Sequence, residues 1–345
     1  MPVSEFLDTL KGDVSDIPPV FIRDFTLGMD VLGIKTNDIL SDNRFNAELS
    51  ADSICAFQKF TGQDAVIGCT HSPAFIVEQF GGRMKYPEYG IPNPAVHPLE
   101  DSIDFSTYDI SPKGIMKDAL KSYSLVKERL PDTAVVGNVT GPLTKASVLA
   151  GMERVSMLIH SDRDVLRDLI SLGFENTKAA IEMMHSDSSI DAGIIAAATD
   201  NPDLFCYQCY HDISVPWIEK LTDVFHKFGY PVVYHPHGSF VTDDEDHSDD
   251  LLKMKFDGFH FSENNNYPKI AKLFKGKKCT LGGTSIVPAL TGEPEEVVKE
   301  TEFFMETFRE NSYVFMASCS VHRGVPLDNI RLMCNTVNQF QRGRV

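Results

Sequence analysis

The sequence predicts an α/β protein, a (β/α)8 TIM barrel with an N-terminal, partly helical extension. Three observations carry that expectation. Short apolar runs alternate with amphipathic stretches, the pattern of parallel strands joined by crossover helices. About seven such runs spread over 345 residues suit one closed barrel better than two smaller domains. No Ser/Gly/Pro-rich linker and no internal repeat breaks the series. A single domain is expected, with residues 1–60 as the extension and 61–345 as the barrel.

The first 60 residues show helical patterns and irregular turns before any clear strand, and are expected to cover one end of the barrel. Strands are then read at 64–70 (DAVIGCT), 133–139 (TAVVGNV) and 192–198 (AGIIAAA). The next, 231–234, runs straight into two histidines. Runs at 256–261 (FDGFHF), 279–281 and 313–317 (YVFMA) complete the set. A helix over 215–228 places Ile218, Leu221, Phe225 and Phe228 at helical spacing and stops at Gly229. Another opens at Pro294, where a missing N–H costs nothing, and carries Val297, Thr301, Phe304 and Phe308 on one stripe. The acidic run Asp243-Asp244-Glu245-Asp246 reads as a solvated loop leading into a helix.

Composition excludes several classes. A formal charge of −17 argues against a nucleic-acid partner, which would call for a basic face. No apolar run approaches the ~20 residues needed to span a membrane. The start, Met1 to Phe6, lacks a basic region followed by an apolar stretch, so no secretion signal is expected. Seven cysteines, an odd number, fit reduced thiols and a cytoplasmic location. Cys206 and Cys209 have a Cys-x-x-Cys spacing, without a second such pair and without a helix start in view. They are read as partly buried thiols of unassigned role.

The chemistry is expected at the C-terminal ends of the strands, where barrels of this kind carry their sites. His235 and His237 sit two residues apart at one strand end, so both side chains point the same way. Cys319 follows the last strand and Glu263 follows another. Two imidazoles and a thiolate, with a fourth place open or filled by the Glu263 carboxylate, describe a catalytic zinc site. Thiolate and imidazole favour zinc over magnesium or calcium.

Several segments in order resemble the uroporphyrinogen decarboxylase superfamily, and within it the zinc-dependent, corrinoid-linked methyltransferases. Val139-Thr140-Gly141-Pro142-Leu143-Thr144 resembles a V-x-G-P-x-T segment after a barrel strand. The stretch around Ser214 to Trp217 resembles the helix leading to the ligand strand. His235-x-His237-Gly238 stands where those methyltransferases have His-x-Cys-Gly. Leu281-Gly282-Gly283 with Leu290-Thr291-Gly292-Glu293-Pro294-Glu295-Glu296-Val297, then Cys319 with Val325-Pro326-Leu327-Asp328-Asn329-Ile330, resemble the C-terminal signatures. The likeness runs from about residue 60 onward and is most specific in the last third.

The resemblance implies a barrel, bound zinc, and cobalamin carried by a separate corrinoid protein that exchanges methyl groups with a small-molecule donor. It also implies an anaerobic or well-reduced setting. His235 and Cys319 would inherit ligand roles; His237 replaces a cysteine. One thiolate instead of two leaves a formal +1 on the site and a stronger Lewis acid. That suits a substrate whose methyl sits on oxygen, such as a methoxylated aromatic, in an O-demethylation. His71 is a candidate acid for the leaving oxygen, and Arg23 a candidate partner for a substrate carboxylate. The alternatives are transfer involving a thiol or other small acceptor, a decarboxylase-like lyase, and a non-catalytic zinc barrel. The run Asp24-Phe25-Thr26-Leu27-Gly28 lacks the second arginine the decarboxylases carry, which weakens the lyase.

Overall fold

The computed structural model describes residues 3–41, 44–102 and 104–340. Its centre is a curled sheet of seven parallel strands in chain order. These are β1 (Ala65–Ile67), β2 (Ala134–Thr140), β3 (Ala192–Ala197), β4 (Val232–Pro236), β5 (Gly258–His260), β6 (Cys279–Gly282) and β7 (Tyr313–Phe315). The strands are buried almost throughout, which explains their continuous Val/Ile/Ala runs: helices cover the outer face and side chains fill the inner one. Each lies within two residues of its expected start, and several end earlier than expected.

The segment around Val20 fills the eighth place of the ring. Val20 bridges to Phe315 and Phe21 to Ala65, both parallel. The Phe21 N–H donates to the Phe315 carbonyl at 2.9 Å, and the Asp64 N–H to the Val20 carbonyl at 2.8 Å. The barrel therefore closes between β7 and β1.

Aspartates finish its N-terminal end. Asp64, Asp191 and Asp257 each stand just before a strand and accept an N–H at the start of a neighbouring one. The donors are Val20 at 2.8 Å, Val135 at 2.9 Å and Val232 at 2.7 Å. Lys127 pairs with Asp191 at 2.7 Å and His226 with Asp257 at 2.8 Å. The helix Val3–Leu10 packs beneath: Ser312 Oγ donates to the Thr9 carbonyl, and Phe6 meets Phe21 edge-on at 5.9 Å.

The expected helices are present at Val215–Lys227 and Pro294–Thr307. A 24-residue helix, Arg163–Ser186, was not expected, nor was the hairpin Arg83–Lys85 with Asn93–Val96. The reading of Cys206 needs correction. Helical turns run back from Val215 to Tyr207, and Cys206 caps them, exposed, its sulfur accepting the Cys209 N–H at 3.4 Å. No helix among the described residues is long and apolar enough to cross a membrane.

Candidate metal centre

Strand β4 delivers the two histidines. His235 is still in register with Ala196 of β3, and the strand ends one residue later. Gly238 then turns the chain at φ 108°, and a Cβ there would overlap the Asn201 side-chain oxygen. Glycine is thus required both by the backbone angle and by the close approach. Asp203 accepts the Ser239 N–H at 3.0 Å, which tethers the turn to the loop after β3.

Cys319 hangs between two anchors. The Ser318 N–H donates to the Thr284 carbonyl and the Val321 N–H to the Arg23 carbonyl, each at 3.0 Å. The thiol so placed lies 3.4 Å from His237 Nε2 and 3.9 Å from His235 Nε2. The ligand atoms of His235, His237 and Cys319 all lie within 4.8 Å of one another. A tetrahedral zinc with ordinary Zn–N and Zn–S bonds needs separations of about 3.3–3.6 Å. The donor set and its spacing fit that ion after small side-chain shifts.

The electrostatics point the same way. Burial holds His235 well below the usual imidazole range, helped by His260, Arg23 and His237, so it is neutral and free to bind a metal. Burial would raise the Cys319 thiol. The hydrogen bond and charge of His237, the Arg23 charge and the Ser320 backbone outweigh it and bring the thiol below its ordinary value. His260 stacks on His235 at 4.4 Å and is oriented by the Ala317 carbonyl, 2.9 Å from its Nε2.

Glu263 lies outside this cluster; its carboxylate accepts from Ser318 Oγ at 2.9 Å, next to Cys319. Arg23 is buried beside the cluster. Its Nε donates to Asn138 Oδ1 at 3.0 Å, its Nη1 donates to Ser320 Oγ, and its plane covers Phe25. His71 stands further round the mouth against Phe25 and Phe75. Burial, with the charges of Arg23 and Lys145, pushes it down to about 3, so it is a neutral imidazole at physiological pH.

Sequence reasoning missed His260, Asn138, Lys145 and Asp200. Asp200 is buried and accepts from the N–H groups of Leu143 and Thr144 and from the Thr144 hydroxyl at 2.9 Å. That bond is what the Thr of the Gly-Pro-Leu-Thr segment does. Lys145 could have been noticed as the one charge inside the otherwise uncharged helix Pro142–Ala150.

A family model described as uroporphyrinogen decarboxylase (URO-D) matches residues 1–340. No curated protein matches significantly. Among solved structures, the chain is similar to a methyltransferase from Methanosarcina mazei, with TM-score 0.84 and 20% identity over 99% of each chain. It is also similar to a B12-independent methionine synthase from Shewanella sp. W3-18-1, with TM-score 0.62 and 12% identity over 93% of this chain and 97% of that one. At such identities the likeness speaks for the fold.

Proposed function

The chain belongs to the uroporphyrinogen decarboxylase family, and from that premise we propose that it is a zinc-dependent methyltransferase. It takes a methyl group from an oxygen of a small substrate, a methoxylated aromatic, and passes it to the Co(I) of a separate corrinoid protein. The observation that carries the reading is the convergence of His235, His237 and Cys319 at the C-terminal mouth of the barrel. The name of the Methanosarcina mazei neighbour, a methyltransferase, supports it.

His235, His237 and Cys319 would hold the metal, and the fourth place is left for the substrate. Zinc bound there supplies Lewis acidity toward the ether oxygen, at a net +1 because only one thiolate is present. The methyl–oxygen bond breaks, the oxygen keeps the bonding pair, and a proton completes the alcohol or phenol. Arg23 places a fixed positive charge beside the oxygen where negative charge builds. His71 acts as a neutral N–H donor, since its imidazolium is disfavoured. Glu263 steadies Ser318 and, through it, the loop of Cys319.

The test is metal analysis followed by a transfer assay with a reduced corrinoid protein and methoxylated aromatics. One zinc per chain and methylation of cobalt are expected. His237→Cys should retain zinc and slow transfer from oxygen, because a second thiolate cancels the charge. A variant as fast as the parent would refute the Lewis-acid argument, and no transfer from any such ether would refute the function.

A further inference from the structure

On the β1–β2 side of the mouth lies a cleft of which the proposed methyl transfer uses only His71. Its walls are largely apolar, with Phe75, Met116, Ala180 and Met184 among them, and no carboxylate lines it. Three nitrogen-bearing side chains do: His71, Asn138 and Lys145. In a chain of net charge −17 a pocket with a cation and no acid is a marked local exception.

Lys145 is 4% exposed and donates to Asn176 Oδ1 at 3.2 Å. Among the described residues no carboxylate pairs with it. Two of its three ammonium hydrogens remain for another acceptor. Asn138 is equally buried, and its amide is oriented. Arg23 Nε can only donate, so the oxygen faces Arg23 and the NH2 is the end left without a partner. Gly173 leaves room for the lysine stem: a Cβ there would come within 3.2 Å of Lys145 Cγ.

A buried cation and a buried amide donor, both under-used, are costly unless an acceptor arrives. Burial pushes Lys145 down to about 7, so an incoming anion would draw the amine into its charged form. Size narrows the choice. The cavity is about 40 Å³, room for about three waters. That admits a carboxylate head and not an aromatic ring.

We propose that this cleft is an anion subsite in which Lys145 Nζ and Asn138 Nδ2 take the carboxylate of the substrate. The body of the substrate then lies toward Arg23 and the metal cluster, to which Asn138 is linked through Arg23 and Ser320. The substrate class becomes a methoxylated aromatic carboxylate. In that respect the inference rests on the methyl-transfer reading, whereas the carboxylate binding does not.

The probe is benzoate against benzamide, its uncharged counterpart, titrated calorimetrically into the full zinc-loaded chain. Benzoate should bind at least tenfold more tightly than benzamide, and Lys145→Met should erase the difference. Asn138→Asp keeps an oxygen for Arg23 and sets a negative charge against the anion; it should weaken benzoate by a similar factor. If Lys145→Met does not fold, Asn138→Asp decides alone. Equal benzoate affinity in the parent and in whichever variants fold, or no benzoate binding by the parent, overturns the subsite. Zinc content and transfer from a neutral methoxylated aromatic, measured on the same samples, report separately on the methyl-transfer reading.

Discussion

The two ends of the barrel treat polar groups in opposite ways. At the N-terminal end, Asp191 holds a strand N–H and the Lys127 ammonium at once, Asp257 holds a strand N–H and the His226 ring, and Asp64 holds the Val20 N–H. At the C-terminal end, Asn138 Nδ2, His235 Nδ1 and His260 Nδ1 are buried without a partner. Most buried polar atoms in folded proteins are satisfied, so an accumulation of unsatisfied ones at one end needs a reason. Stability is built into the closed end, and the open end keeps its hydrogen-bonding capacity for something that arrives.

The contrast breaks most visibly if the open end proves structural. Cys319→Ala should reduce zinc affinity by more than the ~10–100-fold that an outer-shell partner is worth, as read by metal analysis after dialysis. The metal-free variant should melt with the metal-stripped parent, since bound zinc by itself would raise the parent's melting point. If it melts well below, the cluster is part of the framework and the comparison fails.

Lys145→Met should stabilise the protein, by up to about 4 kcal/mol, because a buried cation without a counter-charge gives way to a thioether of similar length. The pH dependence has a definite sign. Burial lowers Lys145 from 10.5 to about 7, so between those values the unfolded chain binds more protons than the folded one. The lysine's penalty therefore shrinks as pH rises through that window. Melting curves from pH 7 to 10 should show the parent gaining on the variant. A constant gap would mean that Lys145 is not held near 7.

At the closed end, Asp191→Ala removes the acceptor of the Val135 N–H and the partner of Lys127. It should cost about 2 kcal/mol in denaturant unfolding and leave zinc stoichiometry at one. Loss of zinc in that variant would show the two ends to be coupled. The smallest effect is expected from Glu263→Gln, which keeps an oxygen for Ser318. Stability should move by less than about 0.5 kcal/mol and zinc content not at all; a fall in zinc would give the carboxylate a ligand role.

The strands were legible because each is buried on both faces and so reads as an apolar run. The metal cluster was legible for a related reason. Its residues sit at strand ends, and the topology brings those ends together. What escaped notice lacks such signals. The segment at Val20 closes the ring through a few bridges after two prolines, Pro18 and Pro19, which gives no strand pattern. Cys206 caps a helix whose first turns, at 207–214, carry no clear amphipathic stripe. Asn138 and Lys145 matter through burial, and burial of a single polar residue is decided by neighbours far away in the chain. Asn176, which holds Lys145, belongs to the long helix that was not expected.

The ring's last place has a consequence for biogenesis. Arg23 and Ser320, which meet where the barrel seals, are 297 residues apart. On the ribosome the cylinder stays a bent, open ribbon until nearly the whole described chain has emerged. Until then the Val20 segment, bridged to β1 on one side, presents its other flank bare to any nascent strand. Slow, long-range closure of this kind predicts a dependence on chaperones during synthesis, and it makes truncation after β6 more hazardous than loss of any outer helix.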